Sequence, residues 1–400
     1  MPAAELEPIA VLARLERWGA ARAWIGPDPY EGLSSPLGRL APGRRTRQAV
    51  TQLYKRLPFA PPWPLRAPPS ANAKALALVL SGYATAAGRR LPGADEHLAR
   101  LPRELERLNL LTEGAGWGYP FEVQTRNVRY SRTTPNAIAT CFVVGALVDA
   151  HLATREEPTR ALALAARPFL LSLGRESPGH GPFFGYIPAE APLVHNANLL
   201  VCGTLARLHE LEPDEAARPV VEAAAQTTLS LVRDDGLWPY GELPNFGWVD
   251  NFHTAYTLEG LAQVSLVFGI GAETLARGAS AWRERFVEPD GWTPYYPDRR
   301  FPLEAHCCAS AIDLVLTLEP KGAEPDWGDL ARSIADTAIR ELWMPDADRF
   351  AFRRTAWRLN GRAFMRWTNA PMFRALGRLV DRYSRAAPVL NLQDGAKRPL

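Results

Sequence analysis

Six stretches of this chain are rich in apolar residues at helical spacing, with few charges through their middles: 71–86, 134–151, 194–211, 249–269, 303–318 and 367–383. Amphipathic helical stretches follow the first five, at 101–110, 155–173, 213–233, 272–287 and 327–342. A helix apolar on every side is a buried helix, whereas one with a single apolar face lies at a surface. The alternation therefore predicts an inner and an outer helical layer. One residue near the start of each buried stretch sets the register: Asn72, Asn136, Asn196, Asn251, His306 and Asn369, spaced 55 to 64 residues apart. Each interval holds two helices and two connections. Asparagine is also a favoured helix cap, so six caps give the same pattern; the recurrence is what argues for equivalent hairpins. With the inner helices parallel, all six polar groups gather at one end. The expected fold is all-α, a closed (α/α)6 toroid with one polar pocket at that end.

Aromatic, glycine-containing loops precede most of these positions, carrying Trp117 and Tyr119, Phe183 and Tyr186, Trp238 and Tyr240, and Trp292, Tyr295 and Tyr296. A degenerate copy holds Phe350 and Phe352. Aromatic faces suit the C–H faces of sugar rings or an isoprenoid chain, and they equally staple one hairpin to the next. The 36 prolines and 30 glycines fit a chain of many helices, each ended sharply. Residues 1–70 read as an N-terminal helix and a proline- and arginine-rich arm packed on the ring. Residues 71–385 form the ring itself, and 386–400 a loose tail.

Lys and Arg total 46 against 43 Asp and Glu, a net charge of +3 that leaves no basic field for nucleic acid. No apolar run nears the roughly 20 residues that span a bilayer. Glu5, Glu7 and Glu16 interrupt the first twenty residues, unlike a secretory signal. A cytoplasmic location is the expectation. Cys141, Cys202, Cys307 and Cys308 are too few for a disulfide framework. His306-Cys307-Cys308 has zinc-ligand residue types, but neighbouring helical residues point about 100° apart; no metal or cofactor is expected.

Several stretches are similar to a bacterial family of six-hairpin toroid proteins associated with polysaccharide metabolism. They are Asp28-Pro29-Tyr30-Glu31-Gly32-Leu33, Trp117-Gly118-Tyr119-Pro120-Phe121 with Gln124-Thr125-Arg126, and Thr134-Pro135-Asn136-Ala137. Further ones are Val194-His195-Asn196-Ala197-Asn198, Trp238-Pro239-Tyr240-Gly241-Glu242 and Asp250-Asn251-Phe252-His253-Thr254. Glu31 and Ser34 stand where the family pattern suggests Asp and Asn. The resemblance implies a six-hairpin glycosidase-like fold without fixing an activity. Some relatives carry a δ-aminolevulinate dehydratase label, which the residues argue against: that chemistry needs a (β/α)8 barrel and a Schiff-base lysine, and only four lysines occur.

Asp250, His253 and Tyr256 share one helical face by their i, i+3, i+6 spacing. Asp250 at a helix N-terminus suits a base or charge stabiliser, and serves equally as an N-cap. Glu242, beside Trp238 and Tyr240, suits a general acid whose pKa an aromatic setting raises, or a loop ion pair. Together they supply the two carboxyl groups of a glycoside hydrolase, about 5 Å or about 6.5–9.5 Å apart, with Glu122 and Glu304 in reserve. Such a pair must face across the pocket. The second reading is a uronate lyase or epimerase, which needs a His or Tyr to move a proton and a cation or amide to hold the adjacent acid group. His195, His253, Tyr240, Tyr256, Asn196 and Asn251, with Arg126 or Arg366, fit it. The positions expected to contact an oligosaccharide or polysaccharide are Trp117, Tyr119, Glu122, Arg126, Asn136, His195, Asn196 and Asn198. Trp238, Tyr240, Asn251, Trp292, His306 and Asn369 complete that set. A glycan- or partner-binding protein without catalysis is a third reading. A terpenoid cyclase is a minor one, since no Asp-Asp-x-x-Asp occurs and Asp234-Asp235 reads as a helix terminus.

Overall fold

The structure is a computed structural model that describes residues 6–125, 127–189, 192–319 and 327–386. Its first helices are α1 (Pro8–Ala20), α2 (Pro36–Arg39), α3 (Gly43–Arg56), α4 (Ala73–Ala84) and α5 (Ala94–Arg107). There follow α6 (Ala137–Thr154), α7 (Glu157–Leu164), α8 (Arg167–Ser172), α9 (His195–Leu211) and α10 (Arg218–Ser230). The last are α11 (Asn251–Phe268), α12 (Ala272–Phe286), α13 (Ala305–Leu318), α14 (Trp327–Leu342) and α15 (Ala370–Ala386).

The six apolar stretches become α4, α6, α9, α11, α13 and α15. Each packs on the next, and α15 packs back on α4, so the inner layer closes into a ring. Outside it, α5, α7, α10, α12 and α14 each cover the inner helix they are joined to, as the alternation predicts, while α8 packs on α9. The sixth outer place is filled by α1, which packs on α15 and α14. Its buried face is Val11, Leu12 and Leu15, with Glu16 accepting from the Tyr83 hydroxyl at 2.9 Å. The expected all-α toroid is therefore the observed one.

Local chemistry sets the boundaries. Asn72, Asn136 and Asp250 cap α4, α6 and α11 by accepting the N–H three residues on. Gly269, left-handed at φ 74°, ends α11. The stretch read as one helix over 155–173 breaks into α7 and α8, where Pro168 has no N–H to continue the ladder. Likewise α5 starts seven residues before 101 and runs through Pro102. Short antiparallel strands line the connections, the largest sheet ordering Leu359–Asn360, Arg353–Arg354, Arg299–Glu304 and Pro294–Tyr296. Helix α6 is long and apolar enough to cross a membrane, but its place is in the inner ring, mostly buried.

Candidate active site

At the N-terminal end of the inner helices lies a cavity of about 540 Å³. Every inner helix, or the segment leading into it, contributes: Lys74 from α4, Ile138 from α6, Asn196 from α9, His253 and Tyr256 from α11, His306 from α13, and Arg366 and Trp367 before α15. The loops add Tyr119, Tyr130, Tyr186, Tyr240, Trp248 and Tyr295, and the arm adds Tyr30. No Asp or Glu is among the described residues that line it.

Asp250 and His253 form the first constellation. Asp250 is extended at φ −138°, and its Oδ1 accepts the His253 backbone N–H at 3.0 Å. Its Oδ2 lies 2.7 Å from His253 Nδ1, with the carboxylate side chain fully buried and the imidazole partly open to the cavity. One carboxylate thus caps the helix and orients the ring. The N-cap and the functional readings of Asp250 are the same geometry. With Nδ1–H donated to the carboxylate, Nε2 keeps its lone pair and can accept a proton. Phe252 and Tyr240 hold the ring from either side, centroids 3.9 and 4.7 Å away.

A second constellation sits deeper. The Tyr256 hydroxyl is 2.9 Å from His306 Nε2, and Lys74 Nζ donates to that hydroxyl at 3.5 Å. His306 stacks on Trp367 at 4.4 Å, and its buried Nδ1 has no partner. Burial, with the cations Lys74 and Arg366 nearby, pushes the His306 pKa well below its usual value. Lys74 lies 3.8 Å from the Phe142 ring centroid and forms no ion pair among the described residues. Burial first, then Arg366 and Arg374, drives its pKa well below 10.5, favouring the neutral amine. Burial raises Tyr256. The one buried lysine of the cavity was not read from sequence. An isolated Lys amid Ala and Leu near the start of a buried helix (Asn72-Ala73-Lys74-Ala75-Leu76) is the signal that marks it.

Arg366 faces the cavity from a π-turn, Met365–Asn369, that leads into α15. Asp28 of the arm pairs with it, Nη2 to Oδ1 at 2.8 Å, and both side chains are buried. Its guanidinium lies over Tyr119 at 4.6 Å. Asn196 Oδ1 is buried at the cavity wall without a partner.

The other expected positions have different places. Glu242 accepts from His195 Nε2 at 2.7 Å, and that bond holds its pKa below the usual value. The raised carboxyl expected there is absent, because the imidazole favours the carboxylate and outweighs the aromatic setting. His195 is buried and spends its other nitrogen on Thr228, 3.3 Å away, so it anchors a loop rather than facing the cavity. Glu122 pairs with Arg47 and Arg129, and Glu304 with Arg353 and the Trp367 indole. Asp250, Glu242, Glu122 and Glu304 all lie off the cavity lining, so no pair of them faces across it.

The tryptophans and most of the asparagines are staples. The indoles of Trp117, Trp238 and Trp292 donate to the carbonyls of Leu105, Thr228 and Arg300 at 2.7 to 2.8 Å. Asn198 bridges Phe184 to Ala224 and Thr228. Asn251 accepts from Trp282 and donates to Pro294, and Asn369 ties Phe350 to Phe364. Asn136 caps α6. Tyr119 and Tyr240 remain on the cavity, as do Asn196 and His306. Arg126 lies outside the described residues. Cys307 and Cys308 diverge as the helical angle requires: Cys308 accepts from Thr293 while Cys307 packs with Phe252 and Phe352.

No family model matches the chain, and no curated protein matches it in sequence. Solved structures do match. A cellobiose 2-epimerase from Bacillus thermoamylovorans superposes with TM-score 0.61 at 11% identity, over 78% of this chain and 88% of that one. The architecture is an (α/α)6 toroid. An alpha-mannanase from Bacteroides thetaiotaomicron gives 0.59 at 12% identity, over 79% of this chain and 88% of the other. The unsaturated glucuronyl hydrolase of a Bacillus species gives 0.56 at 17%, over 78% and 88%. At these identities the likeness establishes the toroid and leaves chemistry to the residues.

Proposed function

We propose that this toroid is a carbohydrate-active enzyme that moves a proton at a sugar carbon beside a carbonyl or carboxylate, as an epimerase or lyase does. The observation that carries the reading is the cavity lining: two histidines with opposite arrangements, Tyr256 beside one of them, a lysine and an arginine, and no carboxylate among the described residues. His253, oriented by Asp250, takes the proton through Nε2. The electron pair left on carbon moves onto the neighbouring oxygen, where Arg366 offsets the charge. Tyr256 returns a proton, from the other face in epimerisation or to the departing oxygen in elimination. Between turnovers His253 gives its proton up to water, and Tyr256 regains one from water, relayed along its hydrogen bonds to His306 and Lys74. The tyrosine-rich wall gives sugar rings their apolar faces to rest on.

The reading agrees with the 2-epimerase among the similar structures, and equally with a uronate lyase. Paired-carboxylate hydrolysis is less well supported, because its acid and its nucleophile or base both need carboxyl groups at the substrate. The test is incubation with acidic and neutral oligosaccharides in D2O. Deuterium entering the carbon beside the carbonyl or carboxylate, or the ultraviolet absorbance of an unsaturated uronate, is the expected result. Reducing ends released with no deuterium on carbon would overturn it in favour of hydrolysis.

A further inference from the structure

A separate cavity of about 710 Å³ lies behind the arm, between it and the 349–363 segment. Four arginines line it: Arg22, Arg66, Arg349 and Arg362. Among the described residues none of the four is ion-paired, and three of them donate to backbone carbonyls. Arg22 donates to Trp18 at 2.9 Å, Arg349 to Gly361 at 2.7 Å and Arg362 to Tyr54 at 3.2 Å. Arg362 is 5% exposed, and its Nη2 has no partner at all. The carboxyl on this cavity, Glu31, is buried and already accepts from the Tyr54 hydroxyl at 2.6 Å. Burial pushes that carboxyl up to about 7, so near neutral pH it is only partly ionised and cannot balance four arginines.

The rest of the molecule shows what is missing. Arginines drawn into the protein elsewhere have carboxylates: the buried Arg366 has Asp28, and the half-buried Arg374 has Asp313. A buried cation without a counter-charge is strongly destabilising. Burial draws Arg362 below its ordinary value, and burial with Arg22 does the same to Arg349. The geometry points to an anion-binding site: we infer that this cavity takes a small ligand bearing a phosphate or carboxylate group. The guanidiniums bind its oxygens, and Pro58, Phe59 and Pro61 form apolar cover. Nothing in this inference depends on the chemistry assigned to the central cavity.

The experiment is calorimetric titration of the full chain with inorganic phosphate and, separately, with glucuronate, at constant ionic strength in chloride. Saturable binding of either supports the site, and the tighter arm identifies the group it prefers. Binding should weaken by about tenfold or more in Arg22→Gln and in Arg66→Gln. Both residues are exposed enough for the fold to survive replacement. Arg362→Met should abolish binding. His253→Ala should leave it unchanged. No saturable binding of either probe, binding indifferent to the arginine variants, or binding lost in His253→Ala would overturn the inference. The last result would place the anion in the central cavity.

Discussion

At the scale of single residues, the site is defined by which nitrogen lone pairs stay available. Asp250 occupies Nδ1 of His253 and leaves Nε2 to act. His253→Ala should therefore lower turnover by about 10²–10⁴-fold. Asp250→Asn should fall in the same range with substrate affinity little changed, a split read from kcat against KM. Lys74 gives a second prediction because it works against stability. Its folded pKa is depressed below 10.5, so the unfolded chain binds more protons throughout the window from that depressed value up to 10.5. Stability then rises with pH through that window. Lys74→Met should raise the thermal midpoint at pH 7, and its advantage should shrink toward pH 10, while turnover collapses. A midpoint unchanged or lowered at pH 7 would mean that the amine is not held against its charged form.

At the scale of elements, the cavity exists because inner helices meet closely enough to close a ring. The α9–α11 pair shows the constraint best. A Cβ on Gly260 would stand 2.3 Å from the Leu199 carbonyl oxygen, and one on Gly203 would stand 2.7 Å from that of Gly260. Backbone cannot yield as a side chain can. Gly260→Ala should cost about 1–3 kcal/mol by overpacking, read as a lowered denaturant midpoint. Gly247→Ala, where a Cβ meets nothing within 4 Å, should leave it unchanged. Because α11 carries His253 and Tyr256, the first variant should also reduce turnover through misplacement. The same logic explains the tryptophans. The indoles of Trp117, Trp238 and Trp292 each find a backbone carbonyl, so the Trp of each of these loops fixes the seam while the loop tyrosines Tyr119, Tyr240 and Tyr295 face the cavity.

Across the whole molecule, the arm is tied to the ring at the site itself. The Pro27 carbonyl accepts from the Met365 N–H at 2.9 Å, and Asp28 pairs with Arg366. Both charges are buried, so removing one leaves the other uncompensated. Asp28→Asn should destabilise the fold by about 3–5 kcal/mol and expose residues 24–69 to proteolysis. The double variant Asp28→Asn, Arg366→Met should cost less than the two single ones summed, as a shared buried pair requires. A purely additive pair would show that the arm is held by its other contacts.

The ring was legible in the sequence because burial leaves a direct mark: an inner helix touches protein on most sides and so carries few charges, α15 with Arg374 and Arg378 being the exception. That one rule located α9, α11 and α13 to within two residues of both ends. The capping asparagines and the Asp250–His253 spacing were legible too, since both are local to one helix turn. What the sequence could not supply was partner identity between residues on different hairpins. The role of α1 as the sixth outer helix, the pairing of Glu242 with His195, and the meeting of Lys74, Tyr256 and His306 all depend on closure of the ring. Capping and hydrophobic periodicity act within a few residues, so residue order alone sets them. A side chain's hydrogen-bond partner and its pKa depend on which distant surfaces pack against it, and only the folded chain decides those.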